Sequence, residues 1–200
     1  MAFAQLQIVS SLADAYSKDG ADALILIGNF DSVDDSALAE VIQQAKITDQ
    51  RVGKQPLLLK ADGVPGQRLV AAPTGPLNRD FDDVRQVFDA AHAAAKMAQD
   101  AGARHPVIAL NNVNINDERY KQAFLAAYLG FCQALYQPLE AREAHGEEAI
   151  EPTKSVILVG ELDADWAMAV EAGKRVARDL AGTEPERMAP PRFAEYCRQA

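Results

Sequence analysis

Cysteine is scarce in this chain, with two in 200 residues, Cys132 and Cys197. That number and spacing exclude a zinc-binding cluster and a redox pair, and fit a reducing compartment. Cys132 lies inside a helical apolar pattern and reads as a core filler. Histidine is nearly as rare. His92, His105 and His145 are expected on a helix, a strand edge and a loop, too dispersed to converge on a metal ion. Long apolar runs are absent. None approaches the roughly 20 residues that a membrane-spanning helix needs, and the opening MAFAQLQIVSSLADAYSKDG lacks the basic start and apolar run of a signal peptide. The expectation is a cytoplasmic protein with no membrane partner. Phosphate-cradling GxGxxG and GxxxxGK(S/T) loops are missing, as are HExxH and GxSxG. Positive charge is in the minority: 20 Lys and Arg stand against 29 Asp and Glu, a formal net charge of -9. Such a surface repels phosphate backbones and argues against a nucleic-acid partner.

What is present is an ordinary globular composition, 48% hydrophobic and 24% charged. The length predicts one domain with an appended segment and a core that needs no staples. Short apolar runs alternate with long amphipathic stretches. ALILIG (Ala23 to Gly28), PVIALNN from Pro106 and SVILVGEL from Ser155 read as strands buried on both faces. PLLLKA from Pro56 and QRLVAAP from Gln67, joined by DGVPG, read as a hairpin. A weaker opening strand spans Leu6 to Val9.

Four helices are expected. One runs from Val33 to Lys46, capped by Ser32. A second runs from Phe81 to Ala101 with Asp80 as cap, Gly102 as stop, and Phe81, Val84, Phe88, Ala91, Ala95 and Ala98 facing inward. The third runs from just after Asn116 to near Pro138. The fourth ends at Gly182 and carries Trp166, Val170, Gly173 and Leu180 on one stripe, expected to pack on the sheet. The charged stretch from Glu140 to Lys154 reads as an exposed connection. Together these predict an α/β fold, a three-layer sandwich around a mostly parallel sheet.

Candidate functional residues are few. Asp34, Asp35, Asp82, Asp83, Asp117, Glu118, Asp163 and Asp165 are expected in first helical turns, where they offset the helix dipole. No set of oxygen ligands for a metal can be assembled, and no catalytic residue is assigned. Gly28, Asn29, Asn111 and Asn112 follow buried strands at the carboxyl edge of the sheet, where open α/β sheets bind ligands. They are candidate turns for a small polar ligand. Asn also tolerates strained turn geometry without any ligand.

The closing stretch ARDLAGTEPERMAPPRFAEY, Ala177 to Tyr196, carries a helix end, a Pro-rich elbow and a second helix start. It resembles the interdomain linker of the leucyl (cytosol) aminopeptidase family, with matches at Ala177, Arg178, Asp179, Leu180, Thr183, Pro185, Pro190 and from Ala194 to Tyr196. Gly182, Glu186 and Ala189 depart from that pattern and place the chain in a divergent branch. The resemblance implies a macrodomain-like N-terminal domain over residues 1–182. It implies a linker over 183–200, with Arg178, Asp179, Pro185, Pro190 and Pro191 at the junction. A separate catalytic domain would follow, holding two divalent metal ions, zinc or manganese, in a cytoplasmic homo-hexamer. The family's Asn-Thr-Asp-Ala-Glu-Gly-Arg-like metal signature is not in this sequence, so the chain itself is expected to be a non-catalytic scaffold, assembly or regulatory domain without cofactor. The alternative is a free-standing macrodomain-like module binding a nucleotide or ADP-ribose-type ligand. The last residues are expected to be too short to hold a helix alone, and so to be mobile or docked on a neighbouring copy.

Overall fold

A computed structural model describes residues 4–146 and 151–199. Six strands form one sheet: β1 (Gln5–Val9), β2 (Ala23–Gly28), β3 (Leu57–Lys60), β4 (Arg68–Pro73), β5 (Pro106–Asn111) and β6 (Ser155–Val159). Their order is β1-β6-β5-β2-β4-β3. All neighbours are parallel except β3, which pairs with β4 as the antiparallel hairpin read from the sequence. Every residue of β2 is buried. Its alternating side chains feed two cores: Ala23, Ile25 and Ile27 face one side, and Leu24 and Leu26 the other.

Seven helices are described: α1 (Leu12–Tyr16), α2 (Ser36–Thr48), α3 (Arg85–Asp100), α4 (Ala123–Leu135), α5 (Leu139–His145), α6 (Ala164–Gly182) and α7 (Pro190–Gln199). Helices α3, α4 and α6 contribute to the first core and α1 and α2 to the second. The result is the expected three-layer α/β sandwich. The α3–α4 contact is close because α3 presents Ala90, Ala91, Ala94, Ala95 and Ala98, and α4 answers with Gly130. A Cβ on Gly130 would lie 2.3 Å from the Phe88 carbonyl oxygen.

Several sequence expectations are corrected. Helix α2 starts at Ser36 rather than Val33, because Asp35, not Ser32, accepts the Ala37 and Leu38 amides. Helix α3 starts at Arg85, not Phe81. The Asp82 carboxylate accepts the Arg79 amide and holds residues 79–82 in a turn that competes with the helix. Phe81 therefore leaves the inward face and is 65% exposed, with the Arg79 guanidinium 4.6 Å from its ring centre. Gly102 (φ 91°) follows the end of α3 as expected. Helix α4 begins only at Ala123, since Asn114 and Asp117 accept the Asn116 and Arg119 amides in successive turns before it. Asp82, Asp83, Asp117 and Glu118 thus lie ahead of their helices and pair with Arg79, Arg85, Arg119 and Lys121.

The stretch expected as an exposed connection, Glu140 to Lys154, contains most of α5, whose Arg142 is buried. Residues 147–150 of that stretch lie outside the described residues. His145 closes this helix rather than sitting in a loop.

Helix α6 is capped by Asp163, but its stripe is rotated from the one expected. Trp166 is 50% exposed, Gly173 is exposed, and Val170 and Leu180 are half-buried. The buried face is Ala167, Glu171, Arg175 and Asp179. The closing segment is helical from Pro190 to Gln199, and Tyr196 bonds to Asp179 of the same chain. The expectation that this segment is too short to be held as a helix is thereby corrected.

Candidate functional site

The four turn residues singled out at the carboxyl edge meet in space. Gly28 ends β2 and is in register with Asn111, which ends β5. The two backbones are so close that a Cβ on Gly28 would lie 1.8 Å from the Asn111 carbonyl oxygen, a contact only glycine permits. Asn111 is 3% exposed. Its Nδ2 donates to the carbonyls of Asn29 (2.6 Å) and Ser32 (2.9 Å), and its Oδ1 accepts the Asp34 amide (3.1 Å). Asn112, at φ 53°, donates to the Ser32 hydroxyl, and the Asn29 side chain accepts the Asp31 amide. An amide side chain has two donors and one carbonyl acceptor. All of those on Asn111 are engaged in stapling the β2–α2 connection to the end of β5.

On the far side of β5, the Phe124 ring packs onto Gly160, just after β6. A Cβ there would lie 2.3 Å from Phe124 Cε1. Between these features lies an open groove of about 280 Å³, lined by Leu110, Val113, Ile115, Phe124 and Val159 with Asp34, Asn112 and Asn114. Five of its eight lining residues are apolar, but slightly more of its exposed surface is polar than apolar.

A second constellation, not anticipated from the sequence, occupies the other end of α6. Asp179 is 1% exposed. Its Oδ1 accepts from the Tyr136 hydroxyl (2.7 Å) and from Arg142 Nη2 (2.5 Å), and its Oδ2 from the Tyr196 hydroxyl (2.5 Å). Burial pulls the Asp179 carboxyl upward, but Arg142, Tyr196 and Tyr136 outweigh it and hold the group below its ordinary value. Arg175 pairs with Glu151, whose other oxygen accepts the Gln137 amide. Arg178 Nη1 donates to Glu171 Oε1 (2.9 Å), and Arg178 Nη2 to Gln133 (2.8 Å). The guanidinium carbons of Arg142, Arg175 and Arg178 lie 5.9, 5.5 and 5.2 Å from the centre of the Tyr136 ring. Such contacts favour a cation over a ring face. Arg178 and Asp179, read as linker positions, are thus placed in the last turns of α6 within this cluster. Pro190 and Pro191 open α7, and Pro185 lies in the turn before it. The only sequence signal for the cluster is the i, i+4 spacing of Glu171, Arg175 and Asp179 inside an otherwise amphipathic helix.

Among the described residues, no three His, Cys, Asp or Glu side chains are grouped to hold a metal ion. His105 Nδ1 lies 2.8 Å from the Ser155 hydroxyl, and His92 and His145 are exposed. The donors present therefore do not fit a two-metal centre. No described helix is long and apolar enough to cross a membrane.

Comparison with known proteins agrees with this fold. No family profile matches the chain. A Caenorhabditis elegans protein named as a "putative aminopeptidase" is 31% identical over 205 residues, which cover 96% of this chain and 38% of that protein. A variant of tomato leucine aminopeptidase superposes with a TM-score of 0.71 over 99% of this chain and 42% of its own, at 15% identity, a likeness of fold. The macrodomain of Thermus aquaticus DarG superposes more loosely, with a TM-score of 0.49 at 11% identity over 79% of this chain and 99% of its own. The sequence likeness to the worm protein and the likeness of fold to the tomato enzyme both extend along almost the whole chain. It spans 38% of the worm relative and 42% of the tomato enzyme.

Proposed function

We propose that this chain is the N-terminal, non-catalytic domain of a two-domain aminopeptidase that removes N-terminal residues from peptides. The observation that carries this reading is the coverage. Nearly all of the chain aligns with each aminopeptidase relative, yet it accounts for less than half of either one. Residues 1–182 are the domain, and 183–200 lead into a catalytic domain. That second domain holds two divalent metal ions, zinc or manganese, and the full protein is a cytoplasmic homo-hexamer. The role left to this domain is scaffold, assembly or regulation. The Asp179 cluster supports that role, because it joins α5, α6 and the closing helix where the linker is placed.

The alternative, a free-standing module for a nucleotide or ADP-ribose-type ligand, has less support. The polar side chain at the centre of the carboxyl edge, Asn111, is fully engaged within the fold.

The test is hydrolysis of a leucyl-anilide with added manganese or zinc, by this chain and by the product of the complete open reading frame. The chain is expected to show no turnover above the metal-only blank, and the longer protein to be active. Turnover by the chain, or a reading frame with no metal-binding continuation, would overturn the proposal.

A further inference from the structure

We propose that the groove at the carboxyl edge of the sheet, with its mixed apolar and acidic-polar lining, is a docking site for an amphipathic, cationic segment of a partner polypeptide. With Asn111 engaged inside the fold, the groove combines the apolar side chains of Leu110, Val113, Ile115, Phe124 and Val159 with polar surface from Asp34, Asn112 and Asn114. Ile115 is 42% exposed at its lip. Strands β2, β4, β5 and β6 are parallel, so the connections that follow them share this edge. Two further exposed large apolar side chains belong to it: Phe81, after β4, and Trp166, in the first turn of α6.

The same edge holds most of the molecule's charge imbalance. The connections after these four strands (residues 29–35, 74–84, 112–122 and 160–163) carry ten carboxylates against three cations, and Arg85 at the start of α3 pairs with one more of the carboxylates. That leaves a net of six of the chain's nine excess negative charges. Asp34 lines the groove itself. An aliphatic or aromatic side chain seated in the groove with Lys or Arg on either flank complements both features, apolar burial for affinity and opposite charge for approach and register. The chain's own closing helix does not fill the groove. The 19 residues of α6 start at this edge and run about 28 Å away from it, and α7 is held to Asp179 near the far end. The inference does not depend on the aminopeptidase reading.

The test uses a fluorescein-labelled Lys-Leu-Lys-Phe-Lys-Leu peptide and fluorescence anisotropy on the intact chain. Its counterpart with Glu in place of Lys is the control. The expected result is saturable binding of the cationic peptide alone, weakened by raising salt to about 0.15 M, where charges are screened beyond about 8 Å. Ile115→Ser and Asp34→Lys should each weaken it by about tenfold, the loss expected of an anchor residue. Val113→Ser, also in the groove lining, is a second apolar variant in case Ile115→Ser alters the fold, which circular dichroism reports. Asp100→Lys makes the same charge change at the opposite edge, where α3 ends, and should have little effect. Failure of the cationic peptide to bind, equal binding of the Glu peptide, equal losses from Asp34→Lys and Asp100→Lys, or wild-type affinity in both folded apolar variants would each overturn the proposal.

Discussion

The Tyr196 hydroxyl donates a 2.5 Å hydrogen bond to Oδ2 of Asp179, while the other oxygen of that carboxylate accepts from Tyr136 and Arg142. Among the described residues, it is the one side-chain hydrogen bond from α7 to the rest of the fold, and α7 buries none of its residues. Tyr196→Phe should therefore loosen the closing helix selectively. Amide exchange over residues 190–199 is expected to accelerate by about ten- to a hundredfold, since a hydrogen bond to a charged group contributes about 1.5–3 kcal/mol. Exchange in β2 and β5 should be unchanged. Wild-type exchange rates in α7 would show that something else holds it.

Asp179→Ala acts on the body of the domain. It breaks the buried Arg142–Asp179 pair and leaves Tyr136 and Tyr196 without their shared acceptor, and breaking a buried pair by removing one partner typically costs about 3–5 kcal/mol. Urea denaturation should show a loss of that size, well above that of Tyr196→Phe.

The same carboxylate predicts an acid-sensitive contribution. Its folded-state pKa lies below the ordinary value, which is about 3.9 for a free Asp side chain. Its stabilising contribution is therefore fully present above that value and is lost as pH falls through the lower folded pKa. The stability gap between wild type and Asp179→Asn should be constant at neutral pH and shrink below pH about 4. A gap that stays constant into strong acid would mean the carboxylate is not held ionised.

Gly130→Ala should test the α3–α4 contact. The added Cβ meets the Phe88 carbonyl at 2.3 Å, and backbone cannot rotate away as a flexible side chain can. Despite the better helix propensity of Ala, a loss of about 1–3 kcal/mol is expected, the usual effect of overpacking. Equal or higher stability of the variant would show that the helices can separate freely.

Trp166, the single tryptophan, reports which face of α6 is outward. Being half exposed, it should be readily quenched by acrylamide in the native state, and Trp166→Ala should change stability by no more than about 0.5 kcal/mol. A blue-shifted, protected emission would return it to the core face.

The two thiols should separate cleanly. Burial pushes the Cys132 thiol pKa up, with the nearby Glu171 charge adding to it, while Cys197 is exposed on α7. One equivalent of Ellman's reagent should react with native protein and the second only on unfolding.

By itself the sequence determined the layers. Uniformly apolar runs such as ALILIG can only be strands covered on both faces, and amphipathic stretches between them impose parallel crossovers, so the sandwich and the hairpin followed from periodicity and turn chemistry. Gly28, Asn29, Asn111 and Asn112 were also legible as neighbours, because parallel strands bring their carboxyl ends to one edge. Helix starts were not, since several acidic and Asn side chains compete locally for the same amides and small differences in geometry decide which one caps.

The face that α6 turns inward was decided only by tertiary structure. Its apolar stripe predicted burial of Trp166 and Leu180, and the fold instead buried Glu171, Arg175 and Asp179. Charged side chains can be buried only when partners reach them, and here those partners come from Tyr136, Arg142, Glu151 and Tyr196, in segments separated along the chain. No local pattern encodes that convergence, because it exists only once the sheet has placed α4, α5 and α6 side by side.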